Sequence, residues 1–91
     1  MTVNIMNLMD ALDLERKNAI AAENFEASMV YSTAEDLADS ILKGRYLLEE
    51  GLLSRLISVY EDNGRRIGGD EEVYWRHSAQ VVRDLFPEVN L

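Results

Sequence analysis

The stretch DEEVYWRHSAQVVRDLFP, residues 70–87, decides the fold. It opens on Asp70, Glu71 and Glu72, which suit the cap and the positive end of a helix dipole. Tyr74, Trp75, Ser78, Ala79, Val81, Val82, Leu85 and Phe86 follow at the spacings of one broad helical stripe. Pro87 has no amide for a further turn and ends it. A helix over about 70–86 is the reading.

Upstream, the segment from Asn63 to Gly69 reads as a loop, because Asn63-Gly64 is a strong carboxyl-terminal stop signal. Before it, Leu52, Leu53, Leu56, Ile57, Val59 and Tyr60 mark a helix over about 52–62. Ser32-Thr33-Ala34-Glu35 is a capping-box sequence and predicts a helix over about 33–50, with Leu37, Ala38, Ile41, Leu42 and Leu48 on its apolar face. Gly44 and Gly51 share roughly one face of that region. Either a neighbour packs closely there, or Gly51 ends one helix and Leu52 opens the next. In the first segment, Ala11, Leu14, Asn18, Ala21, Phe25 and Ser28 or Met29 keep helical spacing, while Ile5, Leu8, Met9 and Leu12 form a second apolar group one face round. One helix over about 4–31, or two broken near Asp13, satisfies both groups. The expected fold is all-α, a compact bundle of four or five helices forming a single domain over residues 1–91.

Composition narrows the function. No run approaches the ~20 apolar residues that span a bilayer, and the start Met1-Thr2-Val3-Asn4 lacks the basic opening of a secretory signal. A soluble, cytoplasmic protein with no membrane partner is expected. Seventeen acids against nine bases give a net charge of −8. Fixed negative charge repels phosphate backbones, so direct nucleic-acid binding is not expected. A basic protein surface is the natural complement, including one that normally holds nucleic acid. At 47% hydrophobic residues the chain has enough for a core and some surplus, which a docking face or a homodimer seam would use.

Catalytic chemistry finds few materials. The chain has no cysteine and one histidine, which cannot supply the nitrogen and sulfur ligands of a zinc site. His77 neighbours Ser78, but adjacent helical residues point about 100° apart, so a dyad between them is not expected. The loop Gly64-Arg65-Arg66-Ile67-Gly68-Gly69 lacks the lysine and hydroxyl of a phosphate-binding loop, and acids flank its arginines. Arg65, Arg66 and Ile67 are better read as a protein-contact point.

One carboxylate pattern has a chemical reading. Glu23-x-x-Glu26 and Asp36-x-x-Asp39 each place two acids one turn apart, and hard cations take oxygen ligands. The pair of pairs resembles the motif of MazG-like nucleotide pyrophosphohydrolases. That resemblance implies an all-α enzyme holding Mg²⁺ between two neighbouring helices. The second pair here is Asp-x-x-Asp, where that family uses Glu-x-x-Asp, and the spacer is shorter. The simpler reading of these acids is a pair of solvated helix faces.

The distribution of charge favours interaction over catalysis. Between Asn18 and Leu42 there is no lysine or arginine, but there are Glu23, Glu26, Glu35, Asp36 and Asp39. Such a surface competes for a basic groove. The leading expectation is a non-enzymatic interaction module, an inhibitor or adaptor, binding through these five acids and through Arg65, Arg66 and Ile67. No cofactor, metal or catalytic residue is assigned. In size and acidity the chain is similar to many small phage-encoded proteins that block host enzymes. A MazG-like hydrolase and a structural homo-oligomer are the alternatives.

Overall fold

The computed structural model describes residues 5–42 and 50–87, and apolar residues spaced three and four apart put most of both stretches into helix. They form α1 (Ile5–Ala21), α2 (Phe25–Leu42), α3 (Glu50–Ile67) and α4 (Gly69–Leu85), with no strand among the described residues. The fold is the expected all-α bundle.

The helices pair as two hairpins, α1 with α2 and α3 with α4. α4 also packs on α2 and α1, and α2 on α3, while the backbones of α1 and α3 stay apart among the described residues. The inner face of α2 is Ala27, Val30, Tyr31, Ala34, Ala38 and Leu42, all buried. Its three alanines let neighbouring helices come close. Leu8 and Leu12 of α1, Leu53, Leu56, Ile57 and Tyr60 of α3, and Trp75, Ala79, Val82 and Phe86 of α4 complete the core. The Tyr60 hydroxyl donates to the Ala34 carbonyl, tying α3 to α2, and its ring lies 5.8 Å from that of Trp75. The stripe expected on α4 is the observed one, with Tyr74 and Leu85 half-buried at its margins. As expected, α4 stops before Pro87. Its last amide contact is the Phe86 N–H donating to the Val82 carbonyl.

Several boundaries differ from the sequence reading. The first helix breaks at Ala22-Glu23-Asn24 and runs unbroken through Asp13. Glu23 takes the left-handed conformation, φ 59°, which costs a side-chain-bearing residue about 1–2 kcal/mol. Asn24 offsets this by accepting the Ala27 N–H on Oδ1 at 3.1 Å as the cap of α2. Its Nδ2 donates to the Tyr74 hydroxyl at 2.8 Å, so the same residue pins the turn to α4.

Ser32 and Thr33 do not start a helix; they lie in the middle of α2 with exposed side chains. The Thr33 hydroxyl donates back to the Met29 carbonyl at 2.9 Å, the usual arrangement for a hydroxyl inside a helix. The unbroken buried stripe of α2 outweighs the local capping signal. Asn63-Gly64 likewise does not stop α3, which continues to Ile67. Gly64 is buried, and a Cβ there would lie 3.1 Å from Trp75 Cβ. Close packing, not chain termination, explains this glycine. The turn between α3 and α4 is Gly68 alone, at φ 68° and ψ −165°. Asp70 sits inside the first turn of α4 and is not its cap. Gly51 lies in the first turn of α3, with open space around it. Gly44 and Leu48 fall outside the described residues. No described helix is long and apolar enough to cross a membrane.

Candidate functional site

Burial of Leu8, Leu12 and Ala19 on α1, and of Ala27, Val30 and Ala34 on α2, decides what the first hairpin shows to solvent. The stripe Leu14, Asn18, Ala21, Phe25 and Met29 faces outward, while Leu8, Leu12 and Ala19 face the core. Phe25 is 63% exposed and Met29 70% exposed. They stand one turn apart on α2, where side chains at i and i+4 are neighbours.

The acids share this solvent side. Residues 5–42 carry eight acids and two bases, net −6, whereas residues 50–87 carry seven and five, net −2. Both bases of the first hairpin are engaged on α1. Lys17 Nζ lies 2.9 Å from Asp13 Oδ2, and Arg16 also pairs with Asp13. The hydrogen bonds from Lys17 and Arg16 hold the Asp13 carboxyl below its ordinary value. Glu23, Glu26, Asp36 and Asp39 are exposed and have no ion pair among the described residues.

Glu35 departs from that group. Its side chain is 19% exposed, and its Oε1 sits 3.5 Å from Arg16 Nε without hydrogen-bond geometry. Burial, reinforced by the charge of Asp13, pushes the carboxyl above its ordinary value. The sequence grouped Glu35 with the outward acids; it is a seam residue between α1 and α2.

The paired acids do not converge. α2 runs unbroken from Phe25 to Leu42, so Glu26 and Asp36 lie on one helix, separated by about 15 Å at 1.5 Å per residue. Glu23 sits in the turn just ahead of it. The two acid pairs therefore do not face each other across two helices as the hydrolase-like motif implies, and no group of three or more acids or histidines could hold a metal ion among the described residues.

Arg65, Arg66 and Ile67 occupy the last turn of α3, not a loop. Arg65 pairs with Asp62, the Arg66 guanidinium donates to Asn63 Oδ1 at 2.9 Å, and Ile67 is 46% exposed. His77 and Ser78 diverge as expected: Ser78 is fully buried and its hydroxyl donates to the Tyr74 carbonyl, whereas His77 is exposed. His77 Nε2 lies 3.2 Å from Glu15 Oε1, and its ring meets Tyr31 edge-on at 6.0 Å. Burial, with the nearby Glu15 and Tyr74, pushes the Tyr31 phenol up to about 12. These contacts join α1 and α2 to α4.

The exposed pair Phe25 and Met29 escaped the sequence reading. The signal was the second apolar group: with Leu8 and Leu12 taken as the buried face of α1, the stripe from Leu14 through Phe25 and Met29 falls to solvent. No family model, curated protein or solved structure matches the chain.

Proposed function

We propose that this chain is a non-enzymatic protein-interaction module, an inhibitor or adaptor, whose partner presents a basic surface to the outer side of α2. The observation that carries the reading is a set of exposed carboxylates, Glu23, Glu26, Asp36 and Asp39, with no cation between Asn18 and Leu42. Acids without partners repel one another across a free surface. A basic partner relieves that repulsion and is steered toward the site by the same field. Phosphate backbones and anionic lipid are repelled by it. The α3 end formed by Arg65, Arg66 and Ile67 supplies a second contact point. There the exposed isoleucine beside two arginines has the composition of an interface.

The test is capture from a lysate of the encoding organism, comparing the wild-type chain with an E23Q/E26Q/D36N/D39N variant at low and high salt. Salt-sensitive retention of a basic protein that the amide variant fails to hold is the expected result. Undiminished capture by the amide variant would overturn the reading.

A further inference from the structure

Phe25 and Met29 are two of the most exposed large hydrophobic side chains among the described residues, and they lie on the same side of α2 as exposed Asp36 and Asp39. Taking 100° per residue, Phe25, Met29, Ser32 and Asp36 fall within a narrow outward sector, with Asp39 at its edge. Along the axis, at 1.5 Å per residue, Asp36 is about 10 Å beyond Met29 and Asp39 about 15 Å beyond it. The face is therefore an apolar step followed by an anionic one, set along a single straight ridge.

From this we propose that the ligand of the α2 face is a basic amphipathic helix: two apolar residues one turn apart seat on Phe25 and Met29, and Arg or Lys further along the same face meet Asp36 and Asp39. This rests on the reading of α2 as the docking face, and it adds the chemistry and spacing of what docks. Helices recognise one another through side chains that recur on one face, so the partner's basic residues fall about seven and ten residues beyond its second apolar anchor. Charge selects this occupant over a second copy of the chain. Pairing α2 with α2 would set Asp36 and Asp39 against their own copies if parallel, or bury them against Met29 and Phe25 if antiparallel, with no cation between Asn18 and Leu42 to relieve them in either case. Apolar anchors also separate a docked partner from loose polycation binding, because desolvated side chains near the centre of a contact carry most of the affinity.

Two synthetic helical peptides of identical composition test this. One carries two leucines one turn apart and two arginines at the stated spacing on the same face. The other carries the arginines on the opposite face. Each is titrated into the ¹⁵N-labelled full chain and followed by amide chemical shifts. The first should bind at least about tenfold more tightly, with shifts centred on residues 25–40, and an F25S/M29S variant should abolish that difference. Both replaced side chains are exposed, so the variant should keep the wild-type circular dichroism spectrum. Equal affinities for the two peptides would overturn the helix proposal and leave the acidic-face reading standing. If neither peptide perturbed α2 at low salt, both would fall. Concentration-dependent shifts over residues 25–40 without peptide would assign the face to a second copy and overturn the proposed occupant.

Discussion

Replacing Gly64 by alanine should destabilise the protein, while the same replacement at Gly51 in the same helix should stabilise it. Both positions gain helix propensity, about 0.5–1 kcal/mol for glycine to alanine. At Gly51 nothing lies within 4 Å of the new methyl, so the gain is kept. At Gly64 the methyl would sit 3.1 Å from Trp75 Cβ and 3.4 Å from Glu72 Cγ. Carbon atoms prefer about 3.5–4.0 Å. Trp75 Cβ is fixed to its own backbone, so α4 must move outward by several tenths of an ångström. Overpacking of this kind costs about 1–3 kcal/mol, leaving G64A net destabilised by up to about 2.5 kcal/mol. The two variants should therefore differ by about 1–3 kcal/mol, or at least about 4 °C in melting temperature for a domain of this size. Thermal unfolding followed by far-UV circular dichroism measures it. If G64A melted as high as G51A, the close α3–α4 contact would be refuted, and Asn63-Gly64 would regain its reading as a helix end.

Asn24→Ala removes the α2 cap and the bond to Tyr74 together, and should cost about 1–3 kcal/mol in urea unfolding; a cost within error would show that the turn is held by something else. Tyr60→Phe leaves the packing but removes the donor to the Ala34 carbonyl, which should cost about 1 kcal/mol by the same method. Glu35 has a folded-state pKa raised above its unfolded value, so its site stabilises the fold most while protonated and loses that contribution as pH rises through the raised value. The stability of E35Q relative to wild type should therefore increase from acid toward neutral pH. A flat or falling difference would show that the Arg16 ion pair outweighs burial.

Helix content was legible because hydrophobic period is a property of long segments. The stripes of α3 and α4 and the stop before Pro87 follow from residues spaced three and four apart. Boundaries were less legible because local signals compete with packing. Ser32-Thr33-Ala34-Glu35 has the chemistry of a cap, yet Ala27, Val30, Tyr31, Ala34 and Ala38 bury one continuous face through it. Asn63-Gly64 has the chemistry of a stop, yet Trp75 requires a residue without a side chain at position 64. The true first break rests on Glu23 in a left-handed conformation, which residue preference argues against and only the Asn24 cap and its bond to Tyr74 favour. Phe25 and Met29 face outward because Val30, Ala34 and Ala38 take the buried face of α2. The acidic span was readable from composition alone. Its division into outward Glu26, Asp36 and Asp39 and inward Glu35 was not, because it depends on helix phase.

A basic partner on the outer side of α2 would be detected by site-specific photocrosslinking in the encoding organism. A photoreactive residue at exposed Ser32, between Met29 and Asp36, is compared with one at exposed Gln80 on α4. A covalent adduct with a basic protein from position 32, absent from position 80 and lost in the E26Q/D36N/D39N background, is the predicted result. Adducts of equal yield from both positions, or a position-32 adduct indifferent to those three carboxylates, would contradict it.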